Sequence, residues 1–211
     1  MINQVGILMR VTSVFSLKEY LSIAGGHLLC RPRHDDCFLV SYPRSGNTWM
    51  RNMLAFVLHP EQSGNPDYTR AKIPGVSIRN SWKINRLSSP RLIKSHTWYR
   101  SQLPKVLYLM RDGRDVVVSL YHYYITREGQ QKTFEQFILD YLDGKYGQIW
   151  HDHISGWLTS GKQRLGNNFL GIRFEEMKDN PVLALQDAVE FLSISADPGR
   201  LKKAVELSDL T

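Results

Sequence analysis

The chain has 211 residues, of which 42% are hydrophobic and 22% are charged. This balance excludes an intrinsically disordered chain and fits one folded domain of ordinary size. The formal net charge of +7 favours an anionic partner such as a nucleotide, a nucleic acid, a membrane surface or a sulfated compound, but without a long basic run we expect no nucleic-acid partner.

Residues 1–35 are predicted to form a segment that packs on the domain, with a short helix over 16–26. The first residues lack a basic region followed by a small-residue cleavage site. No apolar stretch approaches the ~20 residues that span a bilayer. Two cysteines make no disulfide framework. We therefore expect no membrane contact, and a soluble protein in the reducing cytoplasm.

The two cysteines, Cys30 and Cys37, enclose the stretch CRPRHDDC. His34 and two carboxylates between them are residue types that bind metals, but their spacing fits no standard zinc pattern. We predict two reduced thiols beside a buried strand, and no metal.

Four apolar runs predict buried strands, because their apolar residues follow one another rather than alternate. These strands are predicted at residues 37–42, 91–95, 105–110 and 169–174. Helical patterns occupy residues 47–59, 114–125, 133–144, 146–161, 180–193 and 197–208, and the Pro- and Gly-rich stretch 60–75 is predicted to be an irregular loop. The alternation of strands and helices predicts a single α/β domain whose parallel sheet is covered by helices on both faces.

The carboxyl ends of the strands carry the candidate site, since ligands of such sheets bind beyond those ends. After the first strand, the loop SYPRSGNTW places Ser45, Asn47 and Thr48 before a helix whose free N–H groups favour an anion. Gly46 allows the backbone to turn, and Arg44 adds a permanent positive charge. By itself, the loop also fits an ordinary strand–helix turn with a surface arginine.

The next two strand ends add cationic and titratable groups. The third strand ends near Arg111, and Ser119 follows about two helical turns later. Together they could hold a phosphate; alternatively, Arg111 pairs with Asp115. The second strand ends in KSH, where Lys94 and His96 face the same way on an extended strand. A histidine beside an anion site is a candidate base near neutral pH.

Five segments in order, over about residues 38–191, resemble motifs of the cytosolic-type sulfotransferase family. SYPRSGNTW is similar to that family's 5′-phosphosulfate loop, usually YPKSGTTW, and KSH is similar to its Lys-Thr-His. RDGRDVVVSLYHYY resembles its 3′-phosphate segment, RFEEMKDNP its YEDMKENP, and YGQIWHDHISGW its GSWYDHVxGW. The resemblance implies a P-loop-kinase-like fold, the co-substrate 3′-phosphoadenosine 5′-phosphosulfate and a small-molecule acceptor with a hydroxyl or amine. It implies in-line displacement and no metal.

The resemblance also implies roles for the catalytic candidates. Arg44 stands where the family has a lysine, against the leaving phosphate. His96 would deprotonate the acceptor, and Lys94 would stabilise the transferred sulfuryl group. Arg111 and Ser119 would hold the 3′-phosphate.

The remaining implied contacts are with the nucleotide. Residues 45–48 would surround the 5′-phosphosulfate, and Trp49 would stack near the adenine. Phe174 occupies the position of an adenine-contacting tyrosine of the family and lacks its hydroxyl.

The sequence has no counterpart of the family's C-terminal segment RKGxxGDWK. Residues 36–211 are therefore expected to form a sulfotransferase domain without the segment that covers the nucleotide. Three functions stay open: a sulfotransferase, a non-catalytic binder of adenosine 3′,5′-bisphosphate or another polyanion, and a P-loop kinase. The kinase is the least favoured, because GxxxxGK[ST] is missing.

The acceptor cannot be identified from the sequence. Residues 60–90 and the aromatic stretch YHYY are expected to shape its pocket. Trp82, Trp98, Tyr99 and Tyr123 suit a ring-bearing acceptor and ordinary core packing equally well.

Overall fold

The computed structural model describes residues 29–62, 66–129, 131–146 and 149–208. Within them, four strands form one parallel sheet in the order β2-β1-β3-β4. The strands are β1 (Cys37–Ser41), β2 (Leu92–Ser95), β3 (Val106–Met110) and β4 (Phe169–Arg173). The predicted parallel α/β fold is therefore confirmed, and each strand lies within a residue or so of its predicted bounds.

The strand register brings the carboxyl ends to one edge of the sheet. Val40 pairs with Ser95 of β2, and Ser41 pairs with Leu109 of β3. Because the strands are parallel and in register, the segments that follow them begin close together in space. This edge is where the candidate residues were predicted to meet.

Helices surround the sheet. They are α1 (Asn47–Leu58), α2 (Pro66–Lys72), α3 (Ser81–Arg86), α4 (Gly113–Glu128), α5 (Phe134–Leu142), α6 (Trp150–Gly156), α7 (Lys162–Leu165), α8 (Phe174–Asp179), α9 (Pro181–Phe191) and α10 (Pro198–Glu206). A π-helical turn, Trp157–Gly161, joins α6 to α7.

Both faces of the sheet are buried, because alternate strand residues pack into different apolar clusters. Leu39 and Leu107 belong to the cluster that includes residues of α1, α9 and α10. Phe38 and Tyr108 belong to the cluster on the other face, with Trp157 of the π-helical turn. Continuous apolar strands of this kind are typical of parallel sheets covered on both sides.

Several helix ends follow from local sequence signals. Thr133 caps α5 with a capping box formed with Gln136. Asn180 caps α9, and its side chain accepts from the N–H of Leu183. These caps place the helices close to the bounds that the sequence predicts.

Three features depart from the predicted elements. The stretch 60–75 contains α2, so the prediction of an irregular loop there was wrong. Helices α3 and α8 were not predicted, and the helix predicted over 146–161 starts at Trp150 and passes into a π-helical turn. Short helices are stabilised by packing more than by sequence propensity, so local patterns detect them poorly. The helix predicted over 16–26 lies outside the described residues.

The chain reaches β1 through a short segment held by buried hydrogen bonds. The Arg91 guanidinium pairs with the Asp36 carboxylate, with Nε–Oδ1 at 2.6 Å, and both side chains are fully buried. Arg91 also donates to the carbonyl oxygens of Ile84 and Arg31, which ties this segment to α3.

Both cysteines are buried free thiols, and Cys37 lies on β1 as predicted. Burial raises the pKa of Cys37 to about 12, so the thiol stays protonated and unreactive. Across the described residues, no three His, Cys, Asp or Glu side chains are grouped so that they could hold a metal ion. None of the helices in this part of the chain has the length and apolar character needed to cross a bilayer.

Candidate active site at the strand ends

The loop between β1 and α1 has the backbone shape of an anion site. Gly46 has φ of 84° and Arg44 has φ of 68°, so the chain turns through the left-handed region twice. Helix α1 starts at Asn47 without a side-chain cap. Its first N–H groups are therefore free to bind an anion.

Arg44 extends from this loop and meets α4. Its Nε donates to Ser119 Oγ at 3.0 Å, and its guanidinium lies 5.3 Å from the centroid of the Tyr123 ring. The structure thus brings together residues 75 positions apart in sequence. Arg44 and Ser119 were predicted as ligands of different phosphates, and the structure places the two side chains in contact.

Arg111 completes the charged side of the site. Its Nη1 donates to the Arg44 carbonyl oxygen at 3.0 Å, and its guanidinium lies 4.3 Å from the centre of the Phe174 ring. The alternative ion pair with Asp115 is present but long, at 3.9 Å, and the Asp115 side chain is 59% exposed. A long and exposed pair contributes little, so it leaves the positive charge of Arg111 available to a ligand. We call Arg44, Arg111 and Ser119 the basic cleft.

Four buried polar atoms around the loop have no hydrogen-bond partner among the described residues. They are Ser45 Oγ, Asn47 Oδ1, Trp49 Nε1 and Arg111 Nε. Buried polar groups are normally paired, and unpaired ones beside a helix start are consistent with a polar ligand. A phosphate-bearing nucleotide fits the three donors among them, Ser45 Oγ, Trp49 Nε1 and Arg111 Nε.

The other loop residues that were predicted to contact the donor differ in their exposure and in the direction of their side chains. Thr48 is exposed, whereas Trp49 is 5% exposed and packs edge-on against Phe174, with 6.1 Å between ring centroids. The Phe174 ring also covers Gly46, where a Cβ would lie 2.6 Å from Phe174 Cδ2. The Asn47 side chain points away from the loop and into β1. Its backbone N–H still belongs to the start of α1.

His96 follows β2 and has a defined tautomer. Its Nδ1 lies 2.9 Å from the Ser41 carbonyl oxygen. A carbonyl can only accept, so Nδ1 carries the proton and Nε2 keeps its lone pair. Burial first, and then the Lys94 charge, hold the pKa of His96 well below its usual 6.5. The ring is therefore neutral at physiological pH and able to accept a proton at Nε2.

The charge of Lys94 lowers the pKa of His96, which shows that the two side chains are close. The two-residue spacing at the end of β2 predicts this. Burial and the nearby Arg51 lower the pKa of Lys94 to about 8. Arg51 was not identified from the sequence. Arg51 is the one charged residue of α1, NTWMRNMLAFVL. A single charge in an otherwise uncharged helix could have indicated that Arg51 lies at a site.

A second buried histidine lies beneath this segment. His153 of α6 is 1% exposed, and its Nδ1 lies 2.8 Å from the Tyr108 hydroxyl. Burial lowers the pKa of His153 to about 4, and the backbone of Thr97 and His96 raises it slightly in return. The sequence alone offered no reason to place His153 near the site, because α6 is far from β2 along the chain.

The aromatic residues considered for the acceptor pocket divide into two groups. Tyr99 packs edge-on against Trp157, and Trp82 carries the cations of Lys83 and Arg86 on its ring. Trp98 is 44% exposed just after His96. Tyr123 lies under Arg44. The structure thus places Tyr123 against Arg44 and leaves Trp98 partly exposed, and it gives Tyr99 and Trp82 other contacts.

Comparison with known proteins identifies the family of this chain. The sulfotransferase domain family matches residues 34–211. The chain belongs to the sulfotransferase family. The predicted family membership is thereby confirmed.

The curated relatives are similar over most of this chain. Human sulfotransferase 2B1 is 38% identical over 177 residues, which are 75% of this chain and 45% of that protein. The amine sulfotransferase of Oryctolagus cuniculus is 31% identical over 160 residues, 69% of this chain and 52% of that protein. The chain spans about half the length of the curated relatives it matches.

Solved sulfotransferase structures share the fold. Mouse sulfotransferase SULT7A1 complexed with PAP has a TM-score of 0.71 and 29% identity, covering 92% of this chain and 71% of that one. Retinol dehydratase, in complex with androsterone and PAP, has a TM-score of 0.68 at 17% identity, covering 85% of this chain and 65% of that one. The second likeness shows the fold alone. The predicted P-loop-kinase-like architecture is confirmed by these neighbours.

Proposed function

We propose that this chain transfers a sulfuryl group from 3′-phosphoadenosine 5′-phosphosulfate to the hydroxyl or amine of a small-molecule acceptor, without a metal. The observation that carries the proposal is the basic cleft, in which Arg44 contacts Ser119 and Arg111 contacts Arg44 at the start of α1. Three strand ends supply the arginines and the base, which is the arrangement that binding of a nucleotide with two anionic ends requires. The PAP complex of the mouse relative supports the same donor.

In this proposal, the loop with Arg44 holds the 5′ end of the donor, and the other two residues of the cleft, Arg111 and Ser119, hold its 3′-phosphate. The free N–H groups of α1, with Ser45 and Gly46, surround the 5′-phosphosulfate. Arg111 and Ser119 bind the 3′-phosphate through charge-assisted hydrogen bonds. Arg44 balances negative charge on the leaving oxygen. An arginine stays protonated, so it supplies charge there and no proton.

His96 is the proposed base. Nε2 takes the proton of the acceptor as the acceptor oxygen or nitrogen bonds to sulfur, and the bond from sulfur to the donor's bridging oxygen breaks. The products are the sulfated acceptor and adenosine 3′,5′-bisphosphate. The Lys94 ammonium stabilises the charge on the transferred group. A bound anionic donor also offsets the charges of Lys94 and Arg51, which moves the pKa of His96 upwards and strengthens the base.

Two neighbouring surfaces favour an apolar or ring-bearing acceptor. Trp98 lies exposed just beyond His96, and Tyr123 flanks Arg44. Residues 74–76 pair with β2, since Lys94 N donates to the Pro74 carbonyl oxygen at 2.9 Å. The segment that was expected to shape the pocket therefore contacts the strand that carries the base. The buried free thiols are in keeping with a cytoplasmic location, which is part of the proposal.

A panel of nucleotides tests the donor site. Adenosine 3′,5′-bisphosphate is expected to raise the Tm, because a ligand that binds only the folded state stabilises it. ATP with Mg²⁺ is expected to have little effect. A parallel assay with the sulfated donor and a set of phenols, alcohols and amines tests transfer. Stabilisation without transfer to any acceptor would favour the non-catalytic binder, and stabilisation by ATP alone would contradict the proposal.

His96→Ala tests the base. Turnover is expected to fall roughly 10²–10⁴-fold, while affinity for adenosine 3′,5′-bisphosphate stays nearly unchanged. His34→Ala, at an exposed position before β1 and at the opposite end of that strand from the site, is the matched control and should leave both quantities unaltered. Full turnover in His96→Ala would remove this residue from the mechanism.

A further inference from the structure

The residue that holds His96 is itself held by the anion loop. Ser41 is the last residue of β1 and is 0% exposed. Its carbonyl oxygen lies 2.9 Å from His96 Nδ1, and its hydroxyl lies 3.3 Å from the same nitrogen. Both Ser41 oxygens therefore face the proton that defines the His96 tautomer.

Asn47 connects Ser41 to the loop. Its Nδ2 donates to Ser41 Oγ at 3.1 Å and to the Leu39 carbonyl oxygen at 3.2 Å. The amide orientation is determined by this contact, because a flipped side chain would turn its oxygen towards the Leu39 oxygen. Asn47 is 4% exposed and directly follows Gly46, so one residue belongs both to the anion loop and to the support of the base.

We propose that Asn47, acting through Ser41, is a positioning residue that keeps His96 in the tautomer with its proton on Nδ1. This inference rests on the proposed function, because it assigns a purpose to a particular nitrogen of His96. The Asn47 amide fixes the Ser41 hydroxyl, and the Ser41 oxygens fix the imidazole proton, which leaves the lone pair on Nε2. Without the hydroxyl, Nδ1 keeps only the contact with the Ser41 carbonyl oxygen. The neutral ring then spends more time protonated at Nε2, a form that cannot accept the acceptor's proton there.

The arrangement also connects the donor loop with the base. The backbone N–H groups of the loop face the donor site, whereas the Asn47 side chain faces the opposite direction, into β1. Substitution of the side chain therefore removes the support of His96 and retains the backbone N–H. Donor affinity is expected to change much less than turnover.

Nitrogen NMR of histidine-labelled protein tests the proposal without relying on activity. The chain has seven histidines, so the His96 signals are assigned by their loss in His96→Gln. At pH 7.5 the wild-type ring should show a protonated Nδ1 and an unprotonated Nε2. In Ser41→Ala and Asn47→Ala, both signals should move towards the average of two exchanging tautomers. Turnover should fall about fivefold to tenfold, the factor associated with one hydrogen bond.

Two comparisons make the result decisive. Asn180→Ala removes an asparagine side-chain hydrogen bond that involves neither Ser41 nor His96, the cap of α9, and should lower the Tm without changing the His96 signals. If Asn47→Ala does not fold, the nearly isosteric Ser41→Ala still provides the measurement.

The proposal is overturned if the His96 signals of both variants match those of the wild type, or if the wild-type ring carries its proton on Nε2. Failure of the proposed function would look different. The tautomer would then respond as expected while His96→Gln left turnover unchanged.

Discussion

At the scale of single residues, Arg111 shows how one side chain serves both the fold and the candidate site. It donates to the Arg44 carbonyl oxygen and stacks on Phe174. Its Nε nevertheless has no partner among the described residues. An arginine held on two sides with an unpaired donor is preorganised for a further anionic ligand.

Arg111→Ala is expected to weaken binding of adenosine 3′,5′-bisphosphate roughly ten- to a hundredfold, because a charge-assisted hydrogen bond to phosphate is lost. Binding of adenosine 5′-monophosphate should change far less. Calorimetry with both ligands measures the difference. Arg114→Ala is the matched control, since Arg114 pairs with Asp112 and its side chain is 91% exposed. Equal losses for the two nucleotides would mean that Arg111 only supports the loop.

The buried His153 leads to a prediction about pH. Its pKa in the folded chain is about 4, below the value of 6.5 for the free side chain. The unfolded chain therefore binds the proton first, and stability is lost as pH falls from about 6.5 towards 4.

At pH 5 this one group is expected to lower the free energy of unfolding by about 2 kcal/mol relative to pH 7.5. Urea unfolding at both pH values should show a smaller pH effect in His153→Gln than in the wild type. The residual effect comes from His96, whose pKa is also lowered by burial. His151→Gln, two residues away and exposed, is the control. An unchanged pH effect in His153→Gln would mean that this ring is protonated in the folded chain.

At the scale of elements, the turn between β1 and α1 determines the site. Its backbone needs Gly46 for two reasons, a φ of 84° and the Phe174 ring directly above the Cα. The β1–α1 turn was predicted from a strand, a polar loop and a helix in succession. The covering of that turn by α8 was not predicted, because it depends on where β4 ends relative to β1.

A comparison of Gly46→Ala with Gly129→Ala should separate the energetic cost of the positive φ from the cost of the contact with Phe174. Gly129 ends α4 with φ of 62°, and a Cβ there would meet nothing within 4 Å. Gly129→Ala is expected to cost about 1 kcal/mol, the price of the left-handed conformation alone. Gly46→Ala should cost about 2–4 kcal/mol, because the Phe174 ring must also move. Chemical denaturation measures the free energy of unfolding of both variants. Equal losses would show that the Phe174 ring moves aside at no energetic cost.

The second helical region shows the limits of local patterns. Residues 146–161 were predicted as one helix, but the backbone widens into a π-helical turn at Trp157. Trp157 is fully buried, and its Nε1 donates to the Thr97 carbonyl oxygen at 3.0 Å. Such a bond to a distant strand end cannot be read from helical periodicity.

At the scale of the whole molecule, a buried ion pair joins the segment before β1 to β2. Asp36 accepts from Arg91 and from the N–H of Arg33, and Arg91 reaches Ile84 of α3. Removal of one partner from a buried pair leaves an uncompensated charge, which is more costly than loss of an exposed pair.

Asp36→Asn is expected to lower the free energy of unfolding by about 3–5 kcal/mol. The neighbouring Asp35→Asn is the matched control. Asp35 accepts an exposed contact from Ser89 Oγ at 3.3 Å and lies outside the buried pair, so its replacement should change stability by less than about 0.5 kcal/mol. Urea unfolding monitored by tryptophan fluorescence compares them. Similar small losses in both variants would mean that water reaches Arg91.

The sequence by itself determined the family, the parallel α/β fold and the order of strands along the chain. These depend on local signals: apolar runs, capping residues and five short motifs, each contained in neighbouring residues. It also predicted that Arg44, Lys94, His96 and Arg111 stand at strand ends, because that position follows from the ends of the apolar runs.

Only the tertiary structure decided which of these groups touch. The Arg44–Ser119 contact, the Phe174 ring over Gly46, and the path from Asn47 through Ser41 to His96 each join different segments of the sheet edge. Arg51 and His153 likewise lie near Lys94 and His96 only because the fold brings α1 and α6 next to β2. Such contacts depend on strand order and register, which are set by packing of the whole sheet and not by any one stretch of sequence.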